Sequence, residues 1–223
     1  MRLAIDTTAA APLRAERPAA TDRRAREAGA VAIAALSAAC LVWTSGKEAP
    51  LPAIEWAAAF LFLAVQQDVR DLRIPNWLTF PALAAAIALG ALHGGVAGAI
   101  HSLGGAGVAL AIGFLPFALR WLGAGDVKAG MVLGALWGAG TFLGAFWWML
   151  VTGGVLAVAF VAAQGGLRDL LGRWLRSAQA SVMTRRLTYF RPTAGSAAAA
   201  GLPFAVAMAL GAAAFQTWGT PWK

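Results

Sequence analysis

Ten carboxylates are scattered through 223 residues, and three of them, Asp68, Asp71 and Asp126, stand against long apolar runs. A carboxylate at bilayer depth costs about 2.5 to 3.5 kcal/mol on insertion scales, so an acid retained there is a functional candidate by default. Two such acids on separate helices, meeting at one membrane face, share a single proton, because like charges a few ångströms apart cannot both ionise. The ionised partner draws a proton from water while the neutral one polarises a carbonyl, which is the chemistry of an aspartic protease. A fourth acid, Glu55, lies near the outer end of its apolar run, where water solvates it, and is the weakest candidate.

The first locus reads QQDVRDLRIPNWLTF, residues 66–80, and the second WLGAGDVKAGMVLGAL, residues 121–136. Gly123 and Gly125 bracket Ala124 just before Asp126; glycine permits close backbone approach and, where needed, a positive φ. Asp126 also stands where a helix N-cap is expected, so capping and catalysis are both open for it. Pro75 and Asn76 break one helix and start the next. Asp71 pairs with a nearby arginine or takes the first catalytic role in place of Asp68. Arg73 orients the loop or touches headgroups, and Lys128 is an electrostatic neighbour of Asp126 or snorkels to the interface.

The elements that must position these residues are membrane helices. The chain is 60% hydrophobic and 13% charged, with a mean hydropathy of +0.68, whereas a soluble domain carries about a quarter charged residues. Apolar runs near 29–43, 51–65, 77–92, 96–119, 127–138, 142–163 and 194–215 predict an all-α, polytopic bundle of about seven spans. Residues 1–28 mix Ala, Pro, Arg and acids without periodicity and read as a disordered basic tail, leaving 29–223 as one membrane domain.

Placing the N-terminus in the cytoplasm and alternating sides puts sixteen of the eighteen basic residues inside, with Lys47 and Lys223 outside, as the positive-inside bias requires. Asp68 and Asp126 then both fall at the cytoplasmic face. The net charge of +8 is accounted for by this bias, and nucleic acid is not expected as a partner. Cys40 is the single cysteine, so neither a disulfide within the chain nor a cysteine zinc site is expected. LSAAC at 36–40 carries Ser37 where a lipoprotein cleavage site wants an aliphatic residue, so processing there is not expected.

Residues 165–191 set Leu167, Leu170, Leu171, Trp174 and Leu175 opposite Arg168, Arg173 and Arg176, the pattern of a helix lying in the headgroup plane. Glycines four apart, at 90, 94 and 98, at 134 and 138, and at 140 and 144, read as packing seams. His93 and His101 fall toward the outer side as interfacial polar residues. GGAG at 104–107 is not followed by the Gly-Lys-Ser/Thr of a phosphate loop.

Taken together, DVRDLRIPN and GAGD, in that order and 58 positions apart (126 minus 68), resemble the two aspartate motifs of type IV prepilin peptidases. These are membrane aspartyl proteases with a six-helix core, which the chain resembles over about three quarters of its length, roughly 51–216. The resemblance places the catalytic aspartates on Asp68, seven residues before Pro75, and on Asp126, with Asp71 too near the proline to match. It implies an inner-membrane endopeptidase that cuts the basic leader from pilin precursors after a glycine, with no metal or organic cofactor. The cysteine-rich module of longer members is missing from this sequence, so the resemblance is to the short type serving tight-adherence (Flp) pili, and no methyltransferase activity is expected. The first span and basic tail are extra to that core. A proton-coupled transporter is the alternative from another class, and it requires repeat symmetry and broken helices near mid-membrane; an inactive assembly scaffold would need neither acid.

Overall fold

The computed structural model describes residues 51–119, 122–185 and 203–220, together with nine residues between 27 and 39. Every extended element among the described residues is a helix, and no strand is present among them. We label them α1 (Leu51–Asp71), α2 (Asn76–Ala118), α3 (Ala124–Ala163), α4 (Leu167–Thr184) and α5 (Phe204–Trp218). The expected tail lies outside the described residues except for Glu27 and Ala28, which are helical. Residues 40–50 and 186–202, including parts of the first and last expected spans, also lie outside them.

Helices α2 and α3 are long and apolar enough to cross a membrane. Each is interrupted once, at Gly95 (φ 59°, ψ −143°) and at Gly138 (φ 76°, ψ 169°), where the backbone leaves the helical region. In an unbroken helix residues 90 and 98 would stand about 12 Å apart along the axis. Instead their backbones meet, so that a Cβ on Gly98 would strike the Gly90 carbonyl. Phe142 likewise packs on Gly130 across the second break. Both helices are therefore hairpins, with arms 76–94 and 96–118, and 124–137 and 139–163. The sequence reading places loops of several residues at these breaks; a single glycine in a conformation that side chains resist replaces each loop.

The arms hold together through small residues. Gly105 and Gly134 press backbone to backbone, each leaving no room for a Cβ beside the other's carbonyl, and Gly211 of α5 lies against Met149. Backbones brought this close gain dispersion contacts, which must do the work where lipid removes the hydrophobic drive between helices. The expected seam is corrected in part, since Gly94 and Gly140 face open space.

Helix α5 lies against α1 and the second arm of α3. Its buried residues are mostly small, six alanines and Gly211 with Val206 and Met208, and Ala205, Val206, Met208, Ala209 and Ala212 meet a core that includes Ile54, Leu61, Val65, Leu133, Phe142 and Met149. Thr152 donates to the Ala207 carbonyl at 2.9 Å and the Trp148 indole N–H to the Gly219 carbonyl at 2.9 Å, fixing the register of α5 on α3. Large apolar side chains such as Leu92, Val96, Leu115 and Val155 project outward, as a lipid-facing surface requires. Helix α4 lies within the 165–191 stretch expected, of which 186–191 fall outside the described residues, and carries Leu171, Trp174 and Leu175 exposed.

Candidate active site

Helix α1 runs six residues beyond the expected apolar stretch, so Asp68 belongs to its last turn. The helix stops because Leu72 turns left-handed (φ 50°) and donates its N–H back to the Asp68 carbonyl at 2.8 Å. A proline at 75 then disfavours helix at Ile74. Pro75 is the N-cap of α2, with Asn76 its first helical residue, one position later than a proline in the first turn would be.

Asp68 is only 5% exposed. Its Oδ2 accepts the backbone N–H of Ala205 at 2.9 Å, across 137 residues of sequence. Ala205 is the second residue of α5, where helical N–H groups have no partner of their own helix and the macrodipole presents its positive end. The acid is thus held at the mouth of another helix, well packed and directional.

Asp126 is the third residue of α3, and Gly123 is the N-cap, extended at φ −77° and ψ 152°. This corrects the expectation of an N-cap at Asp126 itself. Its Oδ2 reaches back to accept the Gly123 N–H at 3.0 Å, one half of a capping box, since glycine has no side chain for the other half. Gly125 needs no positive φ; its role is approach. A Cβ there would lie 3.1 Å from both the backbone N and O of Ile74, so the start of α3 rests directly on the linker that follows Asp68.

A second tie joins the same pieces. The Lys128 ammonium donates to Asn76 Oδ1 at 2.7 Å and sits 5.0 Å from the centre of the Phe80 ring, so its tip is engaged rather than reaching freely toward headgroups. Asp68, Asp71 and Asp126 all open on one cavity of about 1020 Å³, whose walls also include Gln67, Arg73, Asn76 and Lys128. Asp71 is exposed at its rim. Among the described residues no group of three or more His, Cys, Asp or Glu side chains is arranged to hold a metal ion.

The other candidates stand apart. Glu55 is exposed in the first turns of α1, about 20 Å along the helix axis from Asp68. His93 lies against the Leu89 carbonyl at 2.8 Å, and His101 packs on Gly138, both at the hairpin ends opposite the acids. Sequence reasoning missed Ala205, whose contribution is an amide any residue possesses. Pro203 marks the start of α5, but nothing local says which helix end meets which acid. It also missed the Asn76–Lys128 bond, although both residues were in view.

The geometry offers two carboxyls from distant parts of the chain, each fixed by a backbone amide, beside a cavity large enough for water and an extended peptide. No curated protein and no solved structure matches the chain. Residues 56–158, a stretch that contains both aspartates and both of their motifs, match the type IV leader peptidase family and support the chain's placement among the prepilin peptidases.

Proposed function

We propose that the chain is a multi-pass aspartyl endopeptidase that removes the basic leader of tight-adherence (Flp) type prepilins at the cytoplasmic face of the inner membrane, with Asp68 and Asp126 as its catalytic pair. The observation that carries this reading is the convergence of Asp68 and Asp126 on one cavity, each anchored by an amide from a different element.

The peptide bond after the leader's glycine lies across the cavity. The carboxyl pair shares one proton; the ionised member takes a proton from a water molecule, which attacks the scissile carbonyl, and the protonated member hydrogen-bonds and then protonates the carbonyl oxygen. The tetrahedral intermediate collapses with proton transfer to the leaving nitrogen, freeing the leader with a new carboxylate and the pilin with a new amine. Water, two carboxyls and the fixed geometry suffice.

The six arms of α1, α2, α3 and α5 fit six of the expected spans, and the helical residues described between 29 and 39 fall within the stretch expected as the first. Asp68, the start of α2, Asp126 and the N-terminus of α5 then lie together on the inner side, with Arg70, Arg73, Lys128 and the arginines of α4, while Gly95 and Gly138 turn on the outer side. This arrangement supports the cytoplasmic N-terminus derived from the positive-inside bias. The transporter alternative calls for half-helices meeting near mid-membrane. Here the two breaks are chain reversals at the end of the bundle away from the acids, and they supply no such site.

The test is co-expression with a pilin precursor, following leader removal on a gel for Asp68→Asn, Asp71→Asn and Asp126→Asn, with membrane accumulation measured for each. Loss at 68 and 126 with retention at 71 is expected. Loss at 71 and 126 alone transfers the first role to Asp71, and full processing by all three variants removes the pair from the mechanism.

A further inference from the structure

A second cavity, of about 320 Å³, adjoins the one that holds the aspartates. Its walls come from the site-side ends of three arms: Phe80 and Leu83, Leu110 and Phe114, and Met131. Two residues, Ala124 and Lys128, line both cavities, and they stand two positions before and two after Asp126. A chain laid across Asp126 therefore passes from one cavity to the other within a residue or two.

The two halves differ in chemistry. The first is mixed, with Gln67, Asp71, Arg73 and Asn76 in its wall beside the two aspartates, together with apolar Leu72, Ile74 and Trp77. In the second, Lys128 is the one charged side chain and Thr79 the one hydroxyl among the described residues. Lys128 marks the border, its ammonium turned to Asn76 on the polar side while it lies over the Phe80 ring that walls the apolar side.

We infer that this groove binds the first apolar side chains on the pilin side of the cut, so that the site reads the change from polar leader to apolar helix. The inference rests on the peptidase reading above and deepens it. A substrate polar before the bond and apolar after it matches a site divided the same way at Asp126. The groove's aromatic walls Phe80 and Phe114 are 55% and 59% exposed, so it opens sideways, allowing a membrane-anchored substrate to enter by lateral diffusion. Binding the apolar segment also fixes the register of the bond over the carboxyls, using remote contacts to orient the reacting centre.

The experiment uses the full chain in membranes with a precursor made of a Lys/Arg leader, a glycine and an apolar helix. A benzophenone amino acid is placed at Leu110, or at Leu103 on the same arm outside the groove, in the Asp68→Asn background that keeps precursor uncut. Illumination is expected to join position 110 to the segment just after the glycine, with no such adduct from 103. Leu110→Trp in the otherwise natural chain is expected to lower kcat/KM about tenfold, with kcat falling as well as KM rising, because the contacts that place the bond over the carboxyls are lost. Adducts at 110 with lipid, with a second copy or with the chain itself, to the exclusion of precursor, overturn the inference, as does equal labelling from 103. If the natural chain cuts the precursor while position 110 fails to label it, the groove assignment falls and the peptidase reading stands; if the natural chain leaves it uncut, both fall.

Discussion

The carboxylate of Asp68 accepts the backbone N–H of Ala205 at 2.9 Å, so the last turn of α1 and the first turn of α5 are joined at the acid itself. The bond does two things: it satisfies an orphan amide at a helix start, and it fixes the direction in which the other carboxylate oxygen points. Asp68→Asn and Asp68→Ala should therefore separate. The asparagine keeps an acceptor for Ala205, so we expect normal accumulation and thermal stability with cleavage reduced by about 10²- to 10⁴-fold, the range for loss of an acid–base group. The alanine leaves the amide buried and unpaired, at a cost of about 1–3 kcal/mol, and should also lower the melting temperature in detergent.

Asp126→Asn should behave like Asp68→Asn, since its amide oxygen can still accept from Gly123. In the natural chain, cleavage against pH should be bell-shaped: the ionised member is lost when both carboxyls are protonated at low pH, and the shared proton is lost at high pH. The two limbs belong to the pair and not to either residue. A profile with one limb would remove the shared proton from the mechanism.

Gly125→Ala tests positioning without touching either acid. Its Cβ would press on the Ile74 backbone, which has no flexible side chain to yield, so the start of α3 and the linker after α1 must separate. A Cβ at 3.1 Å requires the two to part by a few tenths of an ångström, less than the 1 Å that costs about 100-fold, so kcat should fall by about 3- to 10-fold while the protein still accumulates. Gly125→Ala activity within twofold of the natural chain would show that this contact does not set the distance between the acids.

At the seam between α2 and α3 the expected effect is on stability. Gly134→Ala places a methyl against the Gly105 carbonyl and should destabilise by about 1–3 kcal/mol, the usual cost of overpacking. Gly107→Ala, where nothing lies within reach, should be neutral or stabilise by up to about 1 kcal/mol through helix propensity. Thermal melts of the two proteins in one detergent decide this.

Leu72 holds a left-handed φ of 50°, a conformation that costs a bulky residue on the order of 1 kcal/mol. Leu72→Gly removes that strain and should match or exceed the natural chain's thermal stability with cleavage retained. Leu72→Pro cannot adopt a positive φ and loses the N–H that closes α1 on the Asp68 carbonyl, so cleavage should be abolished.

The amino-acid sequence by itself determined the helical class, the membrane-like composition, the approximate limits of the arms of α2 and α3, and the two aspartate motifs. Each is a local property: apolar run length, a proline break, glycines beside an acid. What only the tertiary structure decided was which backbone meets which. Ala205 reaching Asp68, Gly125 resting on Ile74, Gly105 pressed to Gly134 and Lys128 tied to Asn76 all depend on helices closing through space, and an amide or a missing side chain carries no mark of its partner. The reversals at Gly95 and Gly138 belong to the same class. A sequence shows that glycine permits a positive φ, whereas packing of the arms on either side decides where that freedom is used.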